Sequence, residues 1–205
     1  MLNKEERELR KTQIGASDIH KIFNFDNKGA KDLWKEKVGL LEKEDFTNQY
    51  LVAGNLLEED CLTYYFKKNN IKGYELNKRV EHNKIKNFVV SLDANIGNIP
   101  YENKTINSRD FATLTKVSRR YYLQLQAQMS CLNSDYGYII YNSVTPEDLE
   151  EPLNYQPSEL TQEVIRVERN IEVIAEIENR VEYFLWCVQY NREPEEAHYI
   201  SRMVF

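Results

Sequence analysis

Two short apolar segments joined by a glycine turn constrain this chain more than anything else in it. Val89-Val90-Ser91-Leu92-Asp93 and Ile99-Pro100-Tyr101-Glu102-Asn103-Lys104-Thr105 flank Gly97-Asn98, a dipeptide suited to a tight hairpin. Read as adjacent strands over 87–93 and 99–106, they bring Asp93, Glu102 and Lys104 to one place. Strand residues two apart share a face, so Glu102 and Lys104 point the same way, and Ser91 lies on the face of Asp93.

The flanking sequence supplies the layers that such a hairpin needs. Residues 1–13 are polar and read as a short helix or arm. Gly15-Ala16-Ser17-Asp18 gives a turn with capping residues, followed by Ile19, Ile22 and Phe23 at helical spacing. A helix is predicted over 30–38, ending at Gly39, and a longer one over 48–68. The longer one carries an expected buried stripe of Leu51, Val52, Leu56, Leu62, Tyr65 and Phe66. A strand over 74–80 precedes the hairpin. Residues 107–117 read as a loop, Ser118 caps a helix through Asn133, and Tyr136–Asn142 alternates as a strand. Residues 143–161 read as a surface loop, 163–167 as a short strand, and 168–190 as a closing helix ended by Arg192-Glu193-Pro194. The expected class is α/β, with a central mixed β-sheet flanked by helices. The domain plan is one unit over 1–205: a helical part (1–70), a sheet core (71–167) and a C-terminal helix (168–192).

The residue types at the hairpin point to a particular chemistry. Two carboxylates can hold a hard divalent cation such as Mg²⁺ through oxygen ligands. A lysine beside them can orient a water or offset charge on a phosphate. That combination suits metal-dependent phosphodiester cleavage. Exposed strand edges with solvated charges are the plainer account of the same residues. In Gly54-Asn55-Leu56-Leu57-Glu58-Glu59, the mid-helix glycine suggests close packing or a kink, and Glu58 is a candidate further ligand, directly or through water. Arg10 and the Gly15–Asp18 turn, with Ser17, can bind an anion through a hydroxyl, a guanidinium and free backbone N–H groups. An ordinary capped helix also explains that turn. Ser91 can hydrogen-bond a phosphate oxygen. Gln124 and Gln128 are neighbours one helical turn apart, with Tyr121 beside them.

Composition excludes some classes. With 205 residues, 41% hydrophobic and 29% charged, the chain suits one globular domain. A net charge of -6 argues against a protein that coats nucleic acid generally, though a local basic channel can coexist with an acidic surface. Cys61, Cys131 and Cys187 form no CxxC pair and read as reduced thiols. His20, His82 and His198 lack metal-ligand spacing. The charged start does not resemble a signal peptide, and no run nears the roughly 20 apolar residues of a membrane span. Cytoplasmic residence is expected, in a host cell if the source is a phage.

These motifs together resemble the lambda-exonuclease-like family of phage recombination nucleases, the YqaJ-type viral recombinases, within the PD-(D/E)xK superfamily. Arg10, Gly15-Ala16-Ser17-Asp18, Gly54-Asn55 with Glu58, Ser91 with Asp93, Glu102 with Lys104, and Tyr121 with Gln124-Leu125-Gln126 follow the family's order. The resemblance implies a restriction-endonuclease-like core and a Mg²⁺- or Mn²⁺-dependent exonuclease acting on linear duplex DNA, 5′ to 3′. It implies Asp93, Glu102 and the Asn103 backbone carbonyl as metal ligands, with Glu58 completing the acidic set. Lys104 and Gln124 would activate and position water. Arg10, Ser17, Ser91, Arg109 and Gln126 would contact DNA or phosphate. Double-stranded DNA ends, a single-strand annealing protein and a trimeric ring are the implied partners. A nuclease-fold protein that binds DNA ends or a protein without cutting, as an inhibitor or recruitment factor, is the alternative. Two positions depart from the family pattern. Asn103 stands where an apolar residue is usual, and Ala94-Asn95 stands where a glycine turn is frequent. A buried asparagine at 103 needs hydrogen-bond partners.

Overall fold

A computed structural model of the protein describes residues 9–23, 28–41 and 48–195. Of the expected N-terminal helix or arm, residues 1–8 lie outside the described residues, and 9–12 form a helical turn. Five strands form one sheet: β1 (Glu75–Glu81), β2 (Val89–Ile96), β3 (Ile99–Asn107), β4 (Tyr136–Val144) and β5 (Gln162–Glu168), in the order β1-β2-β3-β4-β5. All neighbours are antiparallel except β3 and β4, which run parallel. A parallel pair needs a long crossover. Here it contains α3 (Ser108–Ala112) and α4 (Arg119–Leu132), the latter capped by Ser118 accepting from the Tyr121 N–H. The other helices are α1 (Lys28–Lys37), α2 (Gln49–Lys68), α5 (Pro146–Glu150) and α6 (Ile171–Gln189), with 3-10 helices at Ala16–Phe23 and Pro152–Asn154.

The helices cover the sheet on two faces. On one, α4, α6, α1 and the first 3-10 helix bury Leu123, Ala127, Ile177, Phe184, Trp34 and Ile19 against Val90 and Leu92. On the other, α2 buries Leu62 and Phe66 against Ala94, Tyr101 and Ile140. Ile139 and Tyr141 of β4 pack on the α4 side and Ile140 on the α2 side, the alternation expected of a sheet covered twice. In β2 the alternation reverses. Val90 and Leu92 pack under α4, while Ala94 packs under α2. The residue at the reversal is Asp93. Opposite it on β1, Asn77 has a left-handed φ of 55°.

Several expectations are corrected. Leu51, Val52 and Leu56 are not buried; they are 47%, 46% and 48% exposed. The first turns of α2 bury Ala53, Leu57 and Cys61 instead, against Val144, Tyr155 and Leu149. That packing exists because 143–161 is not a plain loop. It folds as α5 and a 3-10 helix laid on α2, and α5 opens with a capping box between Thr145 and Asp148. Residues 107–117 likewise contain α3, capped by Asn107. The turn at 15–18 continues as a 3-10 helix.

Gly54 is not tightly packed. A Cβ there would lie 3.8 Å from Thr105 Oγ1, an ordinary contact. Gly54→Ala is therefore expected to stabilise α2 by up to about 1 kcal/mol, seen as a raised denaturant midpoint; a lowered midpoint would show a closer approach than this. Cys61 and Cys187 are buried and Cys131 half-buried, and all three are free. Among the described residues, no helix is long and apolar enough to cross a membrane.

Candidate active site

The site forms where β2 and β3 part. Their ladder consists of Ala94↔Tyr101, Asn95↔Pro100 and Ile96↔Ile99, then stops, although both strands continue. Just beyond the last rung, Asp93 turns its carboxylate across the gap, and its Oδ2 accepts the Asn103 N–H at 2.8 Å. A side chain thus takes the place of a backbone carbonyl. The N–H and C=O of one strand residue leave the same edge, so the Asn103 carbonyl also faces this gap.

Glu102 and Lys104 share the α4 face of β3, as their spacing requires. Glu102 is 1% exposed and is held by three donors. Its Oε1 accepts from Lys104 Nζ and from Gln124 Nε2, and its Oε2 accepts from Gln128 Nε2 at 2.5 Å. A carboxylate offers about four acceptor positions, so one remains on Oε2. The Lys104 ammonium also sits 5.1 Å from the Tyr121 ring centre, a cation–π contact. Burial works against the charged lysine, but Glu102 and Asp93 outweigh it and hold its pKa above the ordinary value.

Glu58 approaches from α2, half-buried. Burial and then the Glu102 charge raise its pKa, and Lys104 partly opposes them. Asp93 is raised well above the usual carboxylate range, first by burial and then by Glu102, with Glu58 adding to it. Lys104 and the Asn103 N–H work the other way. The pocket is thus crowded with negative charge.

The crowding has a measurable sign. Asp93 and Glu58 take up protons more readily in the fold than in the unfolded chain. Their contribution to stability therefore grows as pH falls through the raised values toward about 4, and is lost as pH rises through them. The raised Lys104 acts only at the alkaline end of the scale. Protein in chelator is expected to melt higher at mildly acidic pH than at pH ~8, and Asp93→Asn to flatten that slope. A flat profile for the parent would show that the carboxylates are not crowded.

The donors suit a hard divalent cation in charge and kind. They are the Asp93 carboxylate, the free position on Glu102 Oε2 and the Asn103 carbonyl, with Glu58 near enough to feel Glu102. Among the described residues, no three His, Cys, Asp or Glu side chains are placed to hold a metal ion together. A bound ion would therefore lean on the backbone carbonyl and on water.

Asn103 meets the requirement that its burial sets. Its Oδ1 accepts from Asn142 Nδ2 at 2.7 Å, Asn142 Oδ1 accepts from Gln162 Nε2 at 2.9 Å, and Gln162 Nε2 also donates to the Cys61 carbonyl on α2 at 3.2 Å. An amide chain therefore runs from β3 through β4 and β5 to the helix bearing Glu58. No signal in the segment around 103 reveals it. The polar Asn142 at the end of an apolar strand is the trace it leaves in the sequence.

The expected phosphate contacts divide. Ser17 and Ser91 are exposed. Ser17 lies on the segment stitched to the start of β2, where Ile14 N–H donates to Asn87 O and Val89 N–H to Ile14 O, both at 3.0 Å. The Gly15 N–H, expected to be free, donates to Asp18 Oδ2 at 3.2 Å, and Asp18 lies 3.6 Å from Lys37. An anion at this turn would rely on the Ser17 hydroxyl rather than on Gly15. Arg10 is exposed on the helical turn, where its carbonyl accepts from Lys37. Arg109 is exposed on α3. Gln126 is a correction. It is fully buried, donates to the Glu168 carbonyl at 2.8 Å and accepts the Asn170 N–H at 2.9 Å, so its amide joins α4 to the β5–α6 connection and is spent there.

A five-stranded mixed sheet between helices is the arrangement of the PD-(D/E)xK fold. A family model for the YqaJ-like viral recombinase domain matches residues 7–136, and the chain belongs to that family, which is lambda-exonuclease-like. The fold is similar to that of an alkaline exonuclease, LHK-Exo, from Laribacter hongkongensis (TM-score 0.75, 20% identity, 92% of this chain and 94% of that one). The same enzyme in complex with dAMP gives a TM-score of 0.72 at 21% identity, with 92% and 94% covered. A phage related exonuclease from Haemophilus somnus 129PT gives 0.68 at 19% identity, with 87% and 96% covered. Among curated proteins, none matches the sequence.

Proposed function

We propose that this protein is a phage-type exonuclease that hydrolyses linear duplex DNA from its ends, 5′ to 3′, with Mg²⁺ or Mn²⁺ as cofactor. The observation that carries this is the meeting of Asp93, Glu102, Lys104 and Gln124 at the break in the β2–β3 ladder. The dAMP complex of one structural neighbour agrees with it, and so does the fact that both neighbours are exonucleases.

Asp93, Glu102 and the Asn103 carbonyl would hold the cation, with Glu58 completing the acidic set. When bound, the ion polarises the scissile phosphate and lowers the pKa of bound water. The remaining work belongs to the chain. Lys104, fixed by Glu102 and Tyr121, presents an ammonium to the attacking water and offsets charge gathering on the phosphate. Gln124 braces Glu102 from α4 and keeps that arrangement in register. Water adds to phosphorus, the P–O bond to the leaving sugar breaks, and the departing oxygen is protonated. Ser17, Ser91, Arg10 and Arg109 retain the terminal phosphate and the neighbouring backbone. A single-strand annealing protein and a trimeric ring complete the proposal.

Incubation with linear, 5′-phosphorylated duplex and Mg²⁺, beside a closed circle, tests it. Loss of the linear substrate alone is expected. No digestion in Mg²⁺ or Mn²⁺ with end binding retained would overturn it in favour of a non-cutting binder.

A further inference from the structure

Few bonds fix the distance between the two strands that carry the carboxylates. Beyond Ala94↔Tyr101 the ladder gives none. The Asn103 N–H reaches Asp93 directly. The other link comes from α4. Gln128 Nε2 donates to the Ser91 carbonyl on β2 at 3.1 Å and to Glu102 Oε2 on β3 at 2.5 Å. One amide nitrogen thus bridges both sides of the gap.

Two features show that this bridge is imposed rather than incidental. Gln128 is fully buried, and its own Oε1 is buried without a hydrogen-bond partner. Leaving a buried acceptor unmade is unfavourable. Turning the amide over would set its oxygen against the Glu102 carboxylate and the Ser91 carbonyl, two acceptors that an oxygen cannot serve. The nitrogen is held inward by those groups at the expense of the oxygen. A neutral donor also suits the place. A second lysine or an arginine would make the same bonds but cancel the negative charge that attracts a cation.

We propose that Gln128 is a positioning residue that clamps β2 to β3, fixes the plane of the Glu102 carboxylate and so sets the spacing of the metal-binding oxygens. It rests on the metal-dependent reading above. Outer residues that orient metal ligands typically govern affinity by 10- to 100-fold.

Calorimetric titration of Mn²⁺ into the parent, Gln128→Met and Gln126→Met tests it, with melting temperatures taken alongside. Gln126 sits on the same helix, buried and doubly bonded to backbone, and controls for loss of a structural amide. Gln128→Met is expected to weaken Mn²⁺ binding by about 10- to 100-fold and to raise the Mn²⁺ needed for half-maximal digestion equally. Gln126→Met is expected to lower the melting temperature while binding Mn²⁺ as the parent does. Should Gln128→Met not fold, Gln128→Asn replaces it in the same titration with the same expected loss, since it keeps an amide but is one methylene short of bridging both acceptors. Parent-like Mn²⁺ affinity in the Gln128 variant, or an equal loss in Gln126→Met, overturns the clamp alone. A parent that binds no Mn²⁺ overturns the metal-dependent reading and the clamp together.

Discussion

Lys104→Ala is expected to slow digestion of linear duplex by about 10²- to 10³-fold while end binding persists. The ammonium is the cation bonded to the buried Glu102, and the Tyr121 ring stands 5.1 Å away on its other side. Its loss leaves Glu102 with two amide donors, Gln124 and Gln128. Stability falls too, by at most about 3 kcal/mol, because the amides retain part of the solvation of that carboxylate. The two effects separate if nucleotide release is measured at a temperature where both proteins are folded, with DNA-end affinity measured in chelator. A variant that digests as fast as the parent would mean that the chemistry lies elsewhere.

Arg180→Ala carries the largest expected effect on stability, about 3–5 kcal/mol. The side chain is 2% exposed. It donates to the Ile22 carbonyl and to Glu176, each at 2.6 Å, and its guanidinium lies 4.4 Å from the Phe23 ring centre. Arg119 donates to the Phe23 carbonyl beside it at 2.9 Å. Two arginines from different helices thus serve the last carbonyls of the 3-10 helix that carries Ser17. Lysine offers no planar fork, so Arg180→Lys is expected to restore less than half of the loss. Chemical denaturation checks both variants. A shift below ~1 kcal/mol in Arg180→Ala would show that the helix end is held by other means.

Elements whose signals are local were legible. The Gly97-Asn98 hairpin, the Ser118 cap and the alternating β4 each depend on residues within one segment. The expected face of α2 failed because it depends on what covers α2. Residues 143–161 look polar, and the capping box Thr145-Pro146-Glu147-Asp148 is short enough to pass for a turn, so the partner of Ala53, Leu57 and Cys61 stays hidden in the sequence. At the site, Glu102 and Lys104 share a face as strand periodicity requires, Asp93 joins them where the alternation of β2 reverses, and the glutamines divide. Gln124 and Gln126 are two positions apart and about 200° apart around a helix, so they cannot serve one cleft. Gln124 and Gln128 can, and both meet Glu102. The family pattern pairs Gln124 with Gln126; the helical period pairs the two glutamines that meet Glu102. The partners of Asn103 were out of reach because they follow from the parallel register of β3 on β4, which no neighbouring residue encodes.

The amide chain from Asn103 through Asn142 and Gln162 to the Cys61 carbonyl makes three distant positions a single unit of inheritance. Drift to valine at Asn142 or at Gln162 strands an amide oxygen in the interior, that of Asn103 or that of Asn142. An apolar residue at 103 would leave the Asn142 amide with only its longer bond to the Ile140 carbonyl, at 3.4 Å. A chimera checks the coupling: a β3 taken from a relative is expected to be more stable here when its own β4 and β5 come with it.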